Sequence, residues 1–288
     1  MQKLIVENNA VCEKYRKKVK LNISLKICNL NMTVLAICSG KGGVGKTTVS
    51  VNLAVALSRF GRVLVIDSDI ALPNMHTFFG LDDPFISLLD ALKDPSYLDE
   101  AIHEIKIKVR DEDVIYKHIL NVLPASTSVK ALEEIDIENF KEILEKVKNN
   151  YDFIIVDVAA GLSKYAMIPM LNSDVVYLVV NPEKASILDA QKVKKVAEVS
   201  KIKVNGIILN RYKGEKDMAE YAENAIGEEI IGIIRESKLI RKCWERGIPV
   251  TMKKSESRVS EDFLTLAMRI TGKNIPVRPY GRLKYLFG

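Results

Sequence analysis

Apolar residues along this chain fall into short continuous runs that alternate with stretches of helical spacing. Continuous runs are typical of strands buried on both faces, and they lie at 33–38, 62–66, 153–156, 175–180 and 204–209. Helical spacing with one buried side is found at 47–60, 137–149 and 186–200. Alternating strands and helices predict an α/β fold, namely a doubly wound, mostly parallel sheet with helices on both faces.

The remaining patterned segments predict further helices and strands. Residues 85–102 predict one or two helices, and residues 105–116 alternate in a way that predicts a surface hairpin. A further short strand is expected at 121–125, and residues 238–246 and 262–271 predict two closing helices.

A glycine-rich stretch, GKGGVGKTT at residues 40–48, separates the first predicted strand from the first predicted helix. It fits G-x-x-x-x-G-K-[ST], in which backbone N–H groups and the helix N-terminus surround phosphates. The phosphate-binding residues would be Gly40, Lys41, Gly42, Gly43, Val44, Gly45, Lys46, Thr47 and Thr48. Lys46 would reach the β- and γ-phosphates, and the Thr47 hydroxyl would hold Mg²⁺. The stretch predicts that the chain binds a nucleoside triphosphate.

Aspartates follow two of the predicted buried strands. Asp67 and Asp69 come directly after the second strand, and Asp157 ends the run Tyr151–Val156 in a Walker B pattern. Ligands of open α/β sheets bind at the carboxyl ends of the strands, so these carboxylates are expected to face the nucleotide, with Asp157 near Mg²⁺. Helix capping or turn formation remains the alternative for the two earlier aspartates.

Composition narrows the class of protein further. The net charge is +6, but residues 1–31 carry +5 of it. Residues 32–288 are therefore nearly neutral, and this weakens the inference that they bind nucleic acid. The four cysteines are scattered, without a C-x-x-C pair, which argues against a disulfide framework and an iron–sulfur or zinc site. No apolar run is long enough to span a bilayer, and no signal peptide is recognised, so the sequence predicts a cytoplasmic protein.

The second lysine of the loop, Lys41, makes KGGVGKTT resemble the deviant Walker A motif of the MinD/ParA ATPases, most closely archaeal-type MinD-like proteins. The resemblance implies an ATP hydrolase that uses ATP and Mg²⁺ and forms a homodimer in the ATP state. In that family the extra lysine reaches the partner's ATP across the dimer interface. Lys41 and Lys46 are therefore expected to act together in catalysis.

The same resemblance assigns roles to residues outside the loop. Asp69 would orient the attacking water and Asp67 would support the Mg²⁺ environment, although the reverse assignment stays open. Gly161, in a segment similar to switch II, would donate its N–H to the γ-phosphate, and Asn210 would bind adenine. Ala159 and Arg235 stand where the family has prolines.

Three segments are expected. Residues 1–31 form a basic extension with three open interpretations: a basic arm, a solvated tail, or a segment that is not translated because synthesis starts at Met32. Residues 32–272 form the ATPase domain. Residues 273–288 form a basic tail whose end, Tyr280–Gly288, resembles the short amphipathic membrane-targeting helix of MinD proteins.

Two functions remain. The first is a MinD-like spatial switch that dimerises on ATP, attaches reversibly to an anionic membrane on the inner face of the cell, and positions a protein partner that the sequence does not identify. The second is a ParA-like factor in DNA partition or chromosome organisation. The nearly neutral charge of residues 32–288 favours the first.

Overall fold

One eight-stranded sheet organises the computed structural model, which describes residues 33–111, 114–126 and 135–273. Its strands are β1 (Thr33–Cys38), β2 (Val63–Asp67), β3 (His103–Asp111), β4 (Val114–Leu123), β5 (Phe153–Asp157), β6 (Val175–Val180), β7 (Val204–Tyr212) and β8 (Ile230–Arg235). Their order across the sheet is β3-β4-β2-β5-β1-β6-β7-β8. Every neighbouring pair is parallel except β3 and β4, which are antiparallel.

Helices connect the strands and cover the sheet. They are α1 (Lys46–Leu57), α2 (Met75–Phe78), α3 (Leu88–Lys93), α4 (Leu98–Ala101), α5 (Phe140–Val147), α6 (Lys164–Leu171), α7 (Lys184–Val199), α8 (Lys216–Ile226), α9 (Lys238–Trp244), α10 (Val250–Lys253) and α11 (Arg258–Thr271). Short 3-10 segments lie at Pro95–Tyr97, Ile137–Asn139 and Lys148–Asn150. None of the helices in the described ranges is both long enough and apolar enough to cross a membrane.

Each face of the sheet has its own hydrophobic core, because successive side chains of a strand point to opposite faces. In β1, Val34, Ala36 and Cys38 belong to one core, together with residues of α3, α5 and α7. Leu35 and Ile37 belong to the other core, together with residues of α1 and α11. Both faces are covered, so the prediction of a doubly wound, mostly parallel sheet is confirmed.

The structure differs from the sequence-based prediction at one edge of the sheet. A hairpin and a separate short strand were expected, but β4 runs without interruption from Val114 to Leu123. Only its end pairs with β2, through Leu120 to Leu123, whereas Val114 to Val122 pair with β3. The outer part is at the edge of the sheet, where polar residues such as His118 interrupt the apolar run, and this hid the continuity of the strand.

The parallel strands have their carboxyl ends on the same side of the sheet, along the line where the strands end. β5 lies between β1 and β2, so Asp157 is in register with Ile37 on one side and with Asp67 on the other. The glycine-rich loop leaves β1 on this same side. The predicted extension (residues 1–31) and the end of the predicted tail (residues 280–288) lie outside the described residues.

Candidate functional site

The glycine-rich loop turns sharply between β1 and α1. Gly43 and Gly45 have φ values of 78° and 92°, which residues with a side chain adopt only at a cost in free energy. α1 begins at Lys46, directly after this turn, so the free N–H groups of its first turn face the loop. Backbone geometry in this stretch is therefore that of an anion cradle, as the motif predicted.

Two neighbouring elements hold the loop tightly. A Cβ added at Gly40 would overlap the backbone of Asp189 in α7, and one added at Gly45 would overlap Nδ2 of Asn210. Nδ2 of Asn210 also donates a 2.8 Å hydrogen bond to the carbonyl oxygen of Val44. The end of β7 thus contacts the loop directly, which explains why glycine is required at these positions.

The two lysines of the loop have different surroundings. Lys46 is only 7% exposed; burial raises the pKa of Asp69 and Asp157, and the positive charge of Lys46 opposes that rise. Lys41 is exposed, and no ion pair to it is found within the described ranges. Lys46 is placed to act inside its own site, whereas Lys41 faces outward.

Asp157 is buried at the end of β5. Burial raises the pKa of its carboxyl group, while the charge of Lys46 and the nearby hydroxyls of Thr47 and Ser50 oppose the rise. Its Oδ1 accepts a 2.9 Å hydrogen bond from the Ser50 hydroxyl, whereas its Oδ2 is buried without a partner. Unpaired buried carboxylate oxygens are costly in a folded protein, so this atom indicates a place for a cation or an ordered water.

Asp67 and Asp69 differ from Asp157. Both oxygens of Asp67 are occupied by backbone N–H donors of the following loop: Oδ1 by Asp69 at 3.1 Å, and Oδ2 by Asn74 at 3.2 Å and Met75 at 3.1 Å. The carboxylate therefore holds the loop and the start of α2. Burial and the neighbouring charge of Asp157 raise the pKa of Asp67. Asp69 is partly exposed.

Gly161 lies beside the loop in the described structure. Its N–H donates to the carbonyl oxygen of Ser39 at 3.1 Å, and its φ is 85°. Contact with a phosphate would require this N–H to leave Ser39. Ala159 is buried, and it stands where the resemblance predicts a proline.

These residues fit a nucleotide and Mg²⁺. In the described ranges, no group of three or more His, Cys, Asp or Glu side chains could hold a metal ion by itself. Mg²⁺ in nucleotide sites keeps several waters and is bound by one or two protein groups together with the phosphates. The Asp157 carboxylate lies near Thr47 and has an unpaired Oδ2, which suits a Mg²⁺ ion bound in this way. The unpaired, buried Oδ1 of Asn210 can accept a bond from a base.

Ser50 was missed by the sequence-based reasoning. It lies three positions after Thr47 in α1, a spacing that places both side chains on one side of the helix. That spacing was the available signal, but buried serines are common in helices and the pattern alone does not indicate a carboxylate partner.

Comparison with known proteins finds a matching family model and similar proteins that match most of the chain. A family model described as an AAA domain matches residues 32–208. An uncharacterised ATP-binding protein of Methanocaldococcus jannaschii is 32% identical over 241 residues, covering 83% of this chain and 87% of that protein. The septum site-determining protein MinD of Thermotoga maritima is 32% identical over 258 residues, covering 85% of this chain and 90% of that protein.

A solved structure extends the similarity to the fold. The septum site-determining protein MinD of Pyrococcus horikoshii, complexed with Mg-ADP, superimposes with a TM-score of 0.73. It is 33% identical and covers 83% of this chain and 95% of that chain. These similarities are consistent with two features of the structure, the glycine-rich loop with its two lysines and the mostly parallel sheet. The chain belongs to the MinD/ParA family of P-loop ATPases.

Proposed function

We propose that this ATPase is a nucleotide-controlled spatial switch that forms a homodimer in the ATP state and associates reversibly with a membrane. The observation that carries the proposal is the contrast between the two lysines of the loop, since Lys46 is buried within the site and Lys41 is exposed at its rim. An exposed cation beside a phosphate site can reach the ATP of a second copy and stabilise negative charge there.

Two exposed leucines support a second copy at this surface. Leu162 follows Gly161, which contacts the loop, and Leu188 precedes Asp189, whose backbone lies against Gly40. Leu162 is 40% exposed and Leu188 is 44% exposed. A partner copy that covers the loop would bury these apolar side chains, and this adds hydrophobic stabilisation to the charge contact.

Each site residue has a proposed role in the attack of water on the γ-phosphorus of ATP. Lys46 and the loop N–H groups stabilise negative charge on the phosphates, and Lys41 adds charge from the partner copy. Thr47 and Asp157 hold the Mg²⁺ environment, and Mg²⁺ when bound neutralises phosphate charge. Asp69 orients the water, Gly161 donates its N–H, and Oδ1 of Asn210 accepts from the adenine amino group.

Asp67 has a narrower role in this proposal. Its oxygens are occupied by three backbone donors, so it supports the Mg²⁺ environment by fixing the loop that carries Asp69. A direct bond to Mg²⁺ could use only the remaining lone pair of Oδ1, since three of the four acceptor positions of the carboxylate are filled.

Sedimentation velocity with a non-hydrolysable ATP analogue tests the dimer. The unmodified protein should sediment as a dimer with the analogue and as a monomer with ADP. Lys41→Ala should bind the analogue yet stay monomeric, whereas Lys46→Ala should lose nucleotide binding.

Lys203→Ala serves as the matched control. This lysine is exposed and lies just before β7, at the amino ends of the strands, whereas the glycine-rich loop lies at their carboxyl ends. It should dimerise like the unmodified protein. Normal dimerisation of Lys41→Ala with the analogue would refute the role of Lys41 across the interface.

Membrane association is tested by co-sedimentation with anionic lipid vesicles, in ATP and in ADP, with and without residues 280–288. Pelleting that needs both ATP and the tail supports the proposal, because two copies of a weak anchor bind far more tightly than one. Absence of pelleting in both nucleotides would contradict it. A salt-dependent DNA-binding assay would then test the ParA-like alternative.

A further inference from the structure

A buried hydroxyl contacts Asp157 from the side of α1. Ser50 is fully buried and is no part of the nucleotide-binding pattern. Its Oγ lies 2.9 Å from Oδ1 of Asp157 and 3.1 Å from the carbonyl oxygen of Lys46. Both contacts are made to residues of the site, and the residues Ser50 and Asp157 are 107 positions apart in the chain.

The two acceptors compete for one hydroxyl hydrogen. A bond to the carbonyl oxygen four residues earlier is what serines inside helices commonly make, and it would give Ser50 only a packing role. The carboxylate is nearer, and a charged acceptor forms a stronger hydrogen bond than a neutral carbonyl. The geometry therefore favours donation to Asp157 when that group is ionised.

This bond makes the two oxygens of Asp157 unequal. Rotation about the terminal bond of an aspartate is soft and nearly two-fold, so a free carboxylate exchanges its oxygens easily. Ser50 engages Oδ1, while Oδ2 stays buried and unpaired. The orientation of the carboxylate, and the direction in which Oδ2 points, are thus set from α1.

We infer that Ser50 is a positioning residue, which holds Asp157 so that Oδ2 is available to the Mg²⁺ shell of the bound nucleotide. The inference rests on the role proposed above for Asp157. Ser50 and Thr47 lie on one side of α1, so a single helix would place a Mg²⁺-binding hydroxyl and fix the carboxylate opposite it.

The experiment measures how much Mg²⁺ is needed to retain a fluorescent ADP analogue, by titrating Mg²⁺ into protein and analogue at fixed concentrations. Ser50→Ala should raise the half-saturating Mg²⁺ concentration about tenfold, the lower end of what removing a partner of a metal-binding group costs. Affinity for the analogue in excess EDTA should not change. Ser50→Thr, which keeps the hydroxyl, should restore most of the Mg²⁺ dependence.

Ser58→Ala is the matched control. Ser58 is also buried and bonds a carbonyl oxygen of α1, that of Val55 at 2.8 Å, but makes no contact with Asp157. Its Mg²⁺ dependence should equal that of the unmodified protein. If Ser50 has only a structural role, Ser50→Ala should have a lower melting temperature but an unchanged Mg²⁺ dependence. That result would overturn the inference.

Asp157→Asn separates this inference from the proposed function. If Asp157→Asn raises the Mg²⁺ requirement and Ser50→Ala does not, the positioning role alone is refuted. If neither variant changes it, the proposed Mg²⁺ role of Asp157 fails and the inference fails with it. Should Ser50→Ala not fold, Ser50→Cys, which keeps the shape with a weaker donor, is measured by the same criteria.

Discussion

Removal of the Asp262 carboxylate is expected to destabilise the protein by about 2 kcal/mol, because it breaks a partly buried pair. Asp262 is the fifth residue of α11, and its oxygens accept three hydrogen bonds from Arg235 at the end of β8. The donors are Nε at 2.6 Å, Nη2 at 2.6 Å and the backbone N–H at 3.1 Å. The pair fastens α11 to the strand where the family resemblance predicts a proline.

The size of the expected loss of stability follows from how exposed the two side chains are to solvent. The side chains of Arg235 and Asp262 are 32% and 10% exposed. Breaking a fully buried pair from one side costs about 3–5 kcal/mol, whereas an exposed pair is worth about 0–1 kcal/mol. In Asp262→Ala, water can reach part of the guanidinium, so the cost lies between these limits, and the melting temperature should fall by roughly 5 °C.

Thermal and urea unfolding followed by circular dichroism measure this change. Glu245→Ala is the control, since Glu245 pairs with Arg241 at 2.9 Å on the surface, with side chains 53% and 82% exposed. That variant should lose less than about 0.5 kcal/mol. Arg235→Pro should cost at least as much as Asp262→Ala, because proline removes the N–H donor as well as the guanidinium. An Asp262→Ala shift no larger than that of Glu245→Ala would refute the reasoning.

Two further predictions concern the loop and the strand before it. Gly40→Ala should lower the melting temperature of the nucleotide-free protein well below that of Gly42→Ala, because only the first Cβ overlaps Asp189, while the second meets no atom within 4 Å; equal melting temperatures would contradict the contact. Cys38 should stay unlabelled by iodoacetamide at pH 8 in the folded protein, because burial raises the pKa of its thiol to about 12 and only the thiolate reacts. Mass-mapped alkylation measures this, and labelling as fast as in urea would show that the thiol is accessible.

Local patterns in the sequence determined much of the fold and part of the site. Apolar runs and helical spacing predicted the central strands and the helices α1 and α7, because burial on one or two faces imposes these periods. The glycine-rich loop was predicted from nine consecutive residues, 40–48, since its backbone conformation and its position before a helix are local properties. In β4, whose first part pairs with β3 alone, the same patterns failed to show one continuous element.

Only the tertiary structure decided which side chains meet at the site. Asn210 bonds to Val44 across 166 positions, and Ser50 bonds to Asp157 across 107. Such contacts depend on strand order, register and side-chain rotamers, which no local period specifies. The sequence by itself determined that a phosphate-binding loop follows β1, because one short segment suffices to form it. The packed fold decided that Asp67 holds the loop that follows β2 while Oδ2 of Asp157 stays unpaired, because the direction of each carboxylate depends on the groups packed around it.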